Sequence, residues 1–204
     1  MKFVLRFFGK TVLFLFLVFI LPALLSQALW QYNGEHAKTW RSAKWSASGV
    51  LPAANEDTQA AIYVMSARTG RWKGGFAVHS WVVTKEEAAP RYNRYDKVGW
   101  GRPIRQNAYA PDAFWYSNAP EIIHVLKGEE ASALIPKIEQ AILNYPYARR
   151  GDYQIWPGPN SNTFIAHVLD QVPELGVTTA ANAVGRDFLG DDTFFRFDPD
   201  GLNL

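Results

Sequence analysis

The chain has 204 residues, a net charge of +2 and no cysteine. The missing cysteine excludes a disulfide framework, a thiolate nucleophile and a cysteine-ligated metal, and the small net charge gives no indication of a nucleic-acid partner. After the first thirty residues, enough chain remains for one domain with a sizeable core. Eight Trp residues are present, and we expect most of them to fill that core rather than line a ligand groove.

The first thirty residues predict a membrane anchor. Lys2, Arg6 and Lys10 precede an uncharged run from 11 to 30. Twenty helical residues span about 30 Å, which matches the hydrocarbon thickness of a bilayer. A proline at position 22 can be accommodated in such a span. We therefore expect the chain to contact the membrane through residues 11–30.

A cleaved signal peptide is the alternative interpretation of the same segment, because small residues at 26 and 28 fit a signal-peptidase site. Both interpretations send the rest of the chain across the membrane. Lys10 abuts the apolar run, which favours a cytoplasmic amino terminus. The prediction is a single-pass protein of the cell inner membrane with a periplasmic C-terminal domain, or a protein released to the periplasm after cleavage.

The remaining chain is predicted to form a tether (31–57), a single α+β domain (58–190) and a C-terminal tail (191–204). Apolar patterning predicts strands at 60–68, 76–84, 95–101 and 121–128. The first two should pair as a hairpin. The second is apolar on both faces and therefore central, with His79 and Trp81 on the same face. The stretch 91–97 is interpreted as a solvated strand edge.

Two helices complete the predicted fold. Residues 129–145 are amphipathic, and Pro136 indicates either a kink or a later start. The segment "GPNSNTF" (158–164) places Asn160 as the N-cap of a helix that begins at Ser161. The fold class expected from this order is α+β, a mostly antiparallel sheet with packed helices.

Histidine and serine are the candidate chemical groups. The four histidines have no metal-ligand spacing, so neither a metal nor another cofactor is expected. His79 is costly to bury in a central strand without a partner, although a satisfied core histidine would explain it. Ser161 in the first turn of a helix is commonly a capping residue.

Four motifs carry a resemblance to known families. "FAVHSWVV", "RYDKVGWG", a helix ending in "YPYA", and "WPGPNSNTF" resemble a bacterial domain-of-unknown-function family, number 3750, over roughly residues 60–190. More remotely, the layout resembles circularly permuted NlpC-like hydrolases of the papain fold. That resemblance implies a papain-like domain in which His79 and Ser161 take the places of the catalytic histidine and cysteine.

The serine changes the chemistry that this second resemblance implies. A helix N-terminus lowers the pKa of a nearby acid by at most about 1.5. This shift is enough to ionise a thiol at neutral pH, but it leaves a serine hydroxyl protonated. Ser161 would need a general base, for which His79 is the candidate. The third group is left open among Glu86, Tyr92, Asp96 and His124. The backbone N–H of Asn162 or the Asn160 amide would bind an oxyanion.

The sequence favours a membrane-anchored bacterial envelope protein with a non-catalytic or ligand-binding module. Its ligand, a cell-envelope small molecule or peptide, would lie in an aromatic groove around Tyr109, Trp115, Tyr147 and Trp156, beside Asn160 and Asn162. The alternative is a Ser/His-dependent amidase or esterase that acts on cell-wall peptide or acyl substrates. No nucleic-acid partner is expected.

Overall fold

A computed structural model describes residues 2–34 and 36–190. The chain begins with a long apolar helix made of α1 (Lys2–Leu15), a π-helical turn (Phe16–Ile20) and α2 (Leu21–Asn33). The π-helical turn lies just before Pro22, whose ring cannot fit against an α-helical carbonyl four residues earlier. The 28 residues of Arg6–Asn33 are long and apolar enough to be a candidate membrane span or signal sequence.

The end of α2 packs against a short 3-10 helix, Arg71–Gly75. Ser26 Oγ donates a hydrogen bond to the Gly75 carbonyl (2.6 Å), and Trp30 Nε1 donates to the Arg71 carbonyl (3.2 Å). A Cβ on Gly74 would lie only 2.5 Å from the Trp30 ring. Glycine at this position therefore lets the helix and the turn approach closely.

Five antiparallel strands form one sheet in the order β4-β3-β2-β1-β5. Their bounds are β1 Ala61–Arg68, β2 Val78–Lys85, β3 Asn93–Lys97, β4 Ile104–Gln106 and β5 Glu121–Lys127. Pairing of β1 with β2 runs from Ala61↔Lys85 to Arg68↔Val78. The predicted hairpin, the central position of β2 and the α+β class are confirmed.

Each face of the sheet has its own hydrophobic core, because successive residues of a strand point to opposite faces. On one face, Val82 packs with the helices α3 (Glu129–Leu143) and α4 (Ser161–Gln171). On the other face, Trp81 and Val83 pack with Trp115 from a long loop. We call these the helix face and the loop face.

Three details differ from the sequence-based expectations. Helix α3 begins at Glu129 with Pro136 inside it, so the later start is wrong. The third strand ends at Lys97 rather than at 101. The stretch 91–97 is not a solvated edge, because β3 lies between β2 and β4, and Arg94 and Asp96 are buried.

Part of the predicted tether is in contact with the sheet. The Asp112 carboxylate accepts hydrogen bonds from the backbone N–H groups of Gly49 (2.7 Å) and Val50 (2.9 Å), and Leu51 joins the loop-face core. The predicted tail at 191–204 lies outside the described residues.

Candidate functional site

A cavity of about 410 Å³ lies at the end of the sheet where β1 stops and β2 begins. Its walls come from three segments: residues 69–79, the loop residues Trp100, Trp115 and Tyr116, and residues 153–162. Val184 completes the lining. We call this space the main cavity. Both His79 and Ser161 line it.

His79 is held by two contacts, a stacked ring and a hydrogen bond. It is 2% exposed and stacks on Trp115, with ring centroids 3.6 Å apart and planes at 4°. Its Nε2 lies 3.2 Å from Asp96 Oδ2 on the neighbouring strand β3. The packing and the hydrogen bond together leave the imidazole little freedom to rotate.

Asp96 is an ionised carboxylate at the centre of a charge cluster. Arg105 donates from Nε to Oδ1 (3.2 Å) and from Nη2 to Oδ2 (2.7 Å), while Arg94 Nη2 lies 3.7 Å from Oδ2. Burial alone would raise the pKa of Asp96. The hydrogen bond with His79 and the two arginine charges outweigh burial and hold this pKa well below its usual range.

The tautomer of His79 follows from these contacts. Burial lowers its pKa to about 4, and the charges of Arg94 and Arg105 oppose a further positive charge. The ring is therefore neutral at pH 7 and carries one proton. Because an ionised Asp96 can only accept, that proton is on Nε2. Nδ1 keeps its lone pair, and the hydrogen bonds among the described residues give it no partner.

Ser161 is the first residue of α4 and is 3% exposed. Asn160 caps the helix, since its Oδ1 accepts from the backbone N–H groups of Asn162 (2.8 Å) and Thr163 (3.2 Å). The predicted cap and start of this helix are confirmed. The cap fixes the first turn, and Ser161 lies in it at the positive end of the helix dipole.

The hydroxyl of Tyr153 adjoins Ser161. Burial raises the pKa of Tyr153, and interactions with the side chain and the backbone N–H of Ser161 act against that increase. Tyr153 also packs on Gly99, where a Cβ would lie 3.0 Å from its ring. Because both interactions with Ser161 lower the pKa of Tyr153, the phenol oxygen is the acceptor and the Ser161 hydroxyl and N–H are the donors.

His79 and Ser161 reach the main cavity from opposite faces of the sheet. His79 shares the loop face with Trp81, whereas Asn162 of α4 packs on the helix face, where its Oδ1 accepts a hydrogen bond from Ser80 (2.9 Å). The β2–β3 pairs run only from Thr84↔Asn93 to Val82↔Tyr95. His79 lies beyond the last pair, at the open end of the sheet where the cavity forms.

The other predicted site residues divide into two groups. Trp115, Trp156, Asn160 and Asn162 line the main cavity. Tyr147 does not: its ring packs against Tyr145 and Phe188 beside the helix-face core. Tyr109 is also absent from the lining and stacks on Trp45 instead.

The predicted oxyanion donors already have partners. The Asn162 N–H is used by the Asn160 cap. The Asn160 amide donates to the carbonyls of Ile155 and Val184, both at 3.0 Å. The Ser161 N–H interacts with the Tyr153 oxygen, so the donor left near the serine is the O–H of Tyr153.

Sequence reasoning missed Tyr153, Arg94 and Arg105, and it left Asp96 as one of four alternatives. A signal for Asp96 was present, because Arg94 and Asp96 alternate along the strand that follows β2 and must share one of its faces. Nothing in the spacing of Tyr153 indicates that it adjoins Ser161. Within residues 2–34 and 36–190, no group of three or more His, Asp or Glu side chains could hold a metal ion.

Comparison with known proteins gives one match. The chain fits the family described as a protein of unknown function (DUF3750) over residues 59–188, a range that includes every segment lining the main cavity. No curated protein and no solved structure is significantly similar to it. The first predicted resemblance is confirmed, and the likeness to NlpC-like hydrolases stays a prediction.

Proposed function

We propose that this chain, which belongs to the DUF3750 family, is a membrane-anchored serine hydrolase of ester or amide bonds. Ser161 is the nucleophile, His79 the general base, and Asp96 the residue that orients His79. The observation that carries the proposal is the hydrogen bond from His79 Nε2 to Asp96, because it leaves the Nδ1 lone pair free on a residue that lines the same cavity as Ser161.

The reaction follows the general logic of a nucleophile, a base and an orienting acid. The Ser161 oxygen attacks the carbonyl carbon of the substrate as its proton passes to His79 Nδ1. The resulting oxyanion accepts a hydrogen bond from the Tyr153 hydroxyl. His79 then returns the proton to the leaving group, and water, activated by the same imidazole, releases the acyl group from Ser161.

The electrostatics of the cluster support the role of Asp96. As His79 takes up a proton, the ionised carboxylate 3.2 Å away stabilises the imidazolium. Arg94 and Arg105 keep Asp96 ionised in a buried site. The order of the groups, with the histidine on an early strand and the nucleophile at the start of a later helix, also agrees with the predicted likeness to NlpC-like hydrolases.

The N-terminal helix supports a location at the bilayer. Arg6–Asn33 has the length and composition of a span, and its last turns contact the 3-10 helix that forms one wall of the main cavity. We propose a retained anchor, the inner membrane, and a periplasmic domain at residues 58–190.

Ligand binding without turnover is the second candidate. The feature that favours it is the aromatic character of the lining, in which Trp72, Trp100, Trp115 and Trp156 surround the polar groups. Such a cavity can hold an apolar ligand whether or not Ser161 reacts.

Turnover of chromogenic acyl esters by the full chain in detergent tests the proposal. The wild type should release the leaving group, whereas Ser161→Ala should reduce the rate to background with an unchanged melting temperature. Ser132→Ala, on α3 outside the cavity, is the matched control and should retain the wild-type rate. Equal rates for wild type and Ser161→Ala would rule out the hydrolase and leave the binding function.

A further inference from the structure

The main cavity lies next to the place where the chain leaves the membrane segment. Ser26 and Trp30 of α2 hydrogen-bond to Gly75 and Arg71, and the cavity wall includes Arg71, Trp72 and Lys73 of the same 3-10 helix. The uncharged run of the helix ends at Trp30. When residues 11–30 fill the hydrocarbon layer, Arg71 beside Trp30 is therefore at the level of the lipid headgroups. Gly75 beside Ser26 lies about 6 Å deeper, four helical residues earlier along the anchor.

Large apolar side chains of the cavity wall are exposed at this end of the domain. Trp72 is 58% exposed and Phe76 is 40% exposed, and their rings lie 5.5 Å apart. Across the cavity, Ile155 and Trp156 are 58% and 75% exposed. Exposed aromatic groups around a cavity are characteristic of a surface that meets a membrane or an apolar ligand. Here the adjoining N-terminal helix places these side chains close to the membrane surface.

From this arrangement we infer that the cavity takes a phospholipid-like amphiphile of the same bilayer, with its acyl chain between the 3-10 helix and residues 155–156. Arg71 and Lys73 lie beside the aromatic pair, where a headgroup phosphate would be. This inference rests on the proposed function, since it names the substrate class of the same site. An acyl chain that enters from the membrane side brings its ester carbonyl toward Ser161.

A photoreactive lipid tests the inference apart from catalysis. Full-chain Ser161→Ala is reconstituted in vesicles of phosphatidylcholine and phosphatidylglycerol that contain a phosphatidylglycerol with a diazirine in one acyl chain. After irradiation, peptide mass spectrometry measures the lipid attached to residues 69–79 and 153–162. Labelling of residues 11–30 serves as the internal standard for reconstitution.

Lipid should attach to both cavity segments. Trp72→Ala should lower this labelling, relative to the standard, by about fivefold, the loss that corresponds to about 1 kcal/mol of contact free energy. Trp40→Ala is the matched control, because Trp40 is also 58% exposed and is not part of the cavity wall. It should leave the labelling unchanged.

Labelling confined to the N-terminal helix would overturn the inference, as would equal labelling of the cavity segments in Trp72→Ala and the parent protein. If wild-type protein still hydrolyses short soluble esters in that case, the hydrolase stands and only its lipid substrate is wrong. Cavity labelling by lipid, together with equal ester turnover by wild type and Ser161→Ala, would instead support the lipid site and reject the hydrolase.

Discussion

Replacing His79 with glutamine should remove a specific pH dependence of stability. The pKa of His79 is about 4 in the folded protein and about 6.5 in an unfolded chain. The unfolded state therefore binds more protons as the pH falls from about 6.5 to about 4, so folding loses stability over this window. The two pKa values differ by about 2.5, which corresponds to about 3.4 kcal/mol once the pH is below both.

Between pH 7 and pH 4.5 this linkage gives a loss of about 2.4 kcal/mol in the free energy of unfolding. Glutamine does not titrate, and its amide can still donate to Asp96. The wild type should therefore lose about 2.4 kcal/mol more than His79→Gln over the same interval, because contributions from other groups, His167 included, are common to both proteins. Urea unfolding of the full chains in detergent, followed by tryptophan fluorescence, measures the difference. Equal losses in the two proteins would refute the neutral, buried state of His79.

Four further outcomes follow from the site and the anchor. Asp96→Asn should lower the rate of ester hydrolysis by about 10⁴-fold, because an amide donor favours the wrong imidazole tautomer. It should also lower the free energy of unfolding, measured in urea, by about 3–5 kcal/mol, because two arginines lose their carboxylate. Asn160→Ala should lower the free energy of unfolding, measured in urea, by about 1–2 kcal/mol, because the helix loses its N-cap. Ser161→Cys creates the sole thiol of the chain. The pH dependence of its alkylation by iodoacetamide should give a thiol pKa up to about 1.5 below the usual 8.5. A thiol pKa of about 8.5 or above would contradict a stabilising effect of the helix N-terminus. Deletion of residues 1–33 should move the protein from the membrane fraction to the soluble fraction, as measured by immunoblotting after ultracentrifugation.

Patterns that depend on near neighbours in the chain could be predicted from the sequence. The alternation around His79 gave a central strand with Trp81 on the same face, and "GPNSNTF" gave the Asn160 cap and the start of α4 at Ser161. Both are local consequences of side-chain direction and of capping chemistry. The apolar run of the first thirty residues likewise gave a continuous helix.

Contacts between distant segments could not be predicted in the same way. The charged stretch 91–97 resembles a solvated edge, yet β3 is paired on both sides and Arg94 and Asp96 are buried. The loop that carries Ala110 and Trp115 packs on Arg94, and the charges of Arg94 and Asp96 compensate one another. The alternation of charge alone does not tell whether such a strand is exposed or paired. Tyr147 was expected in the groove, but it packs beside the helix-face core. Tyr153 takes the place beside Ser161 because of a loop path that no periodicity encodes.

The measurement that tests the central claim most directly is the site of reaction of a fluorophosphonate, which modifies only a serine whose proton is taken by a nearby base. Intact mass and peptide mapping of the full chain in detergent should show one phosphonate on Ser161, absent in Ser161→Ala and strongly reduced in His79→Gln. Full labelling of His79→Gln, or a phosphonate on a serine other than Ser161, would contradict the assignment of His79 and Ser161 as a base and its nucleophile.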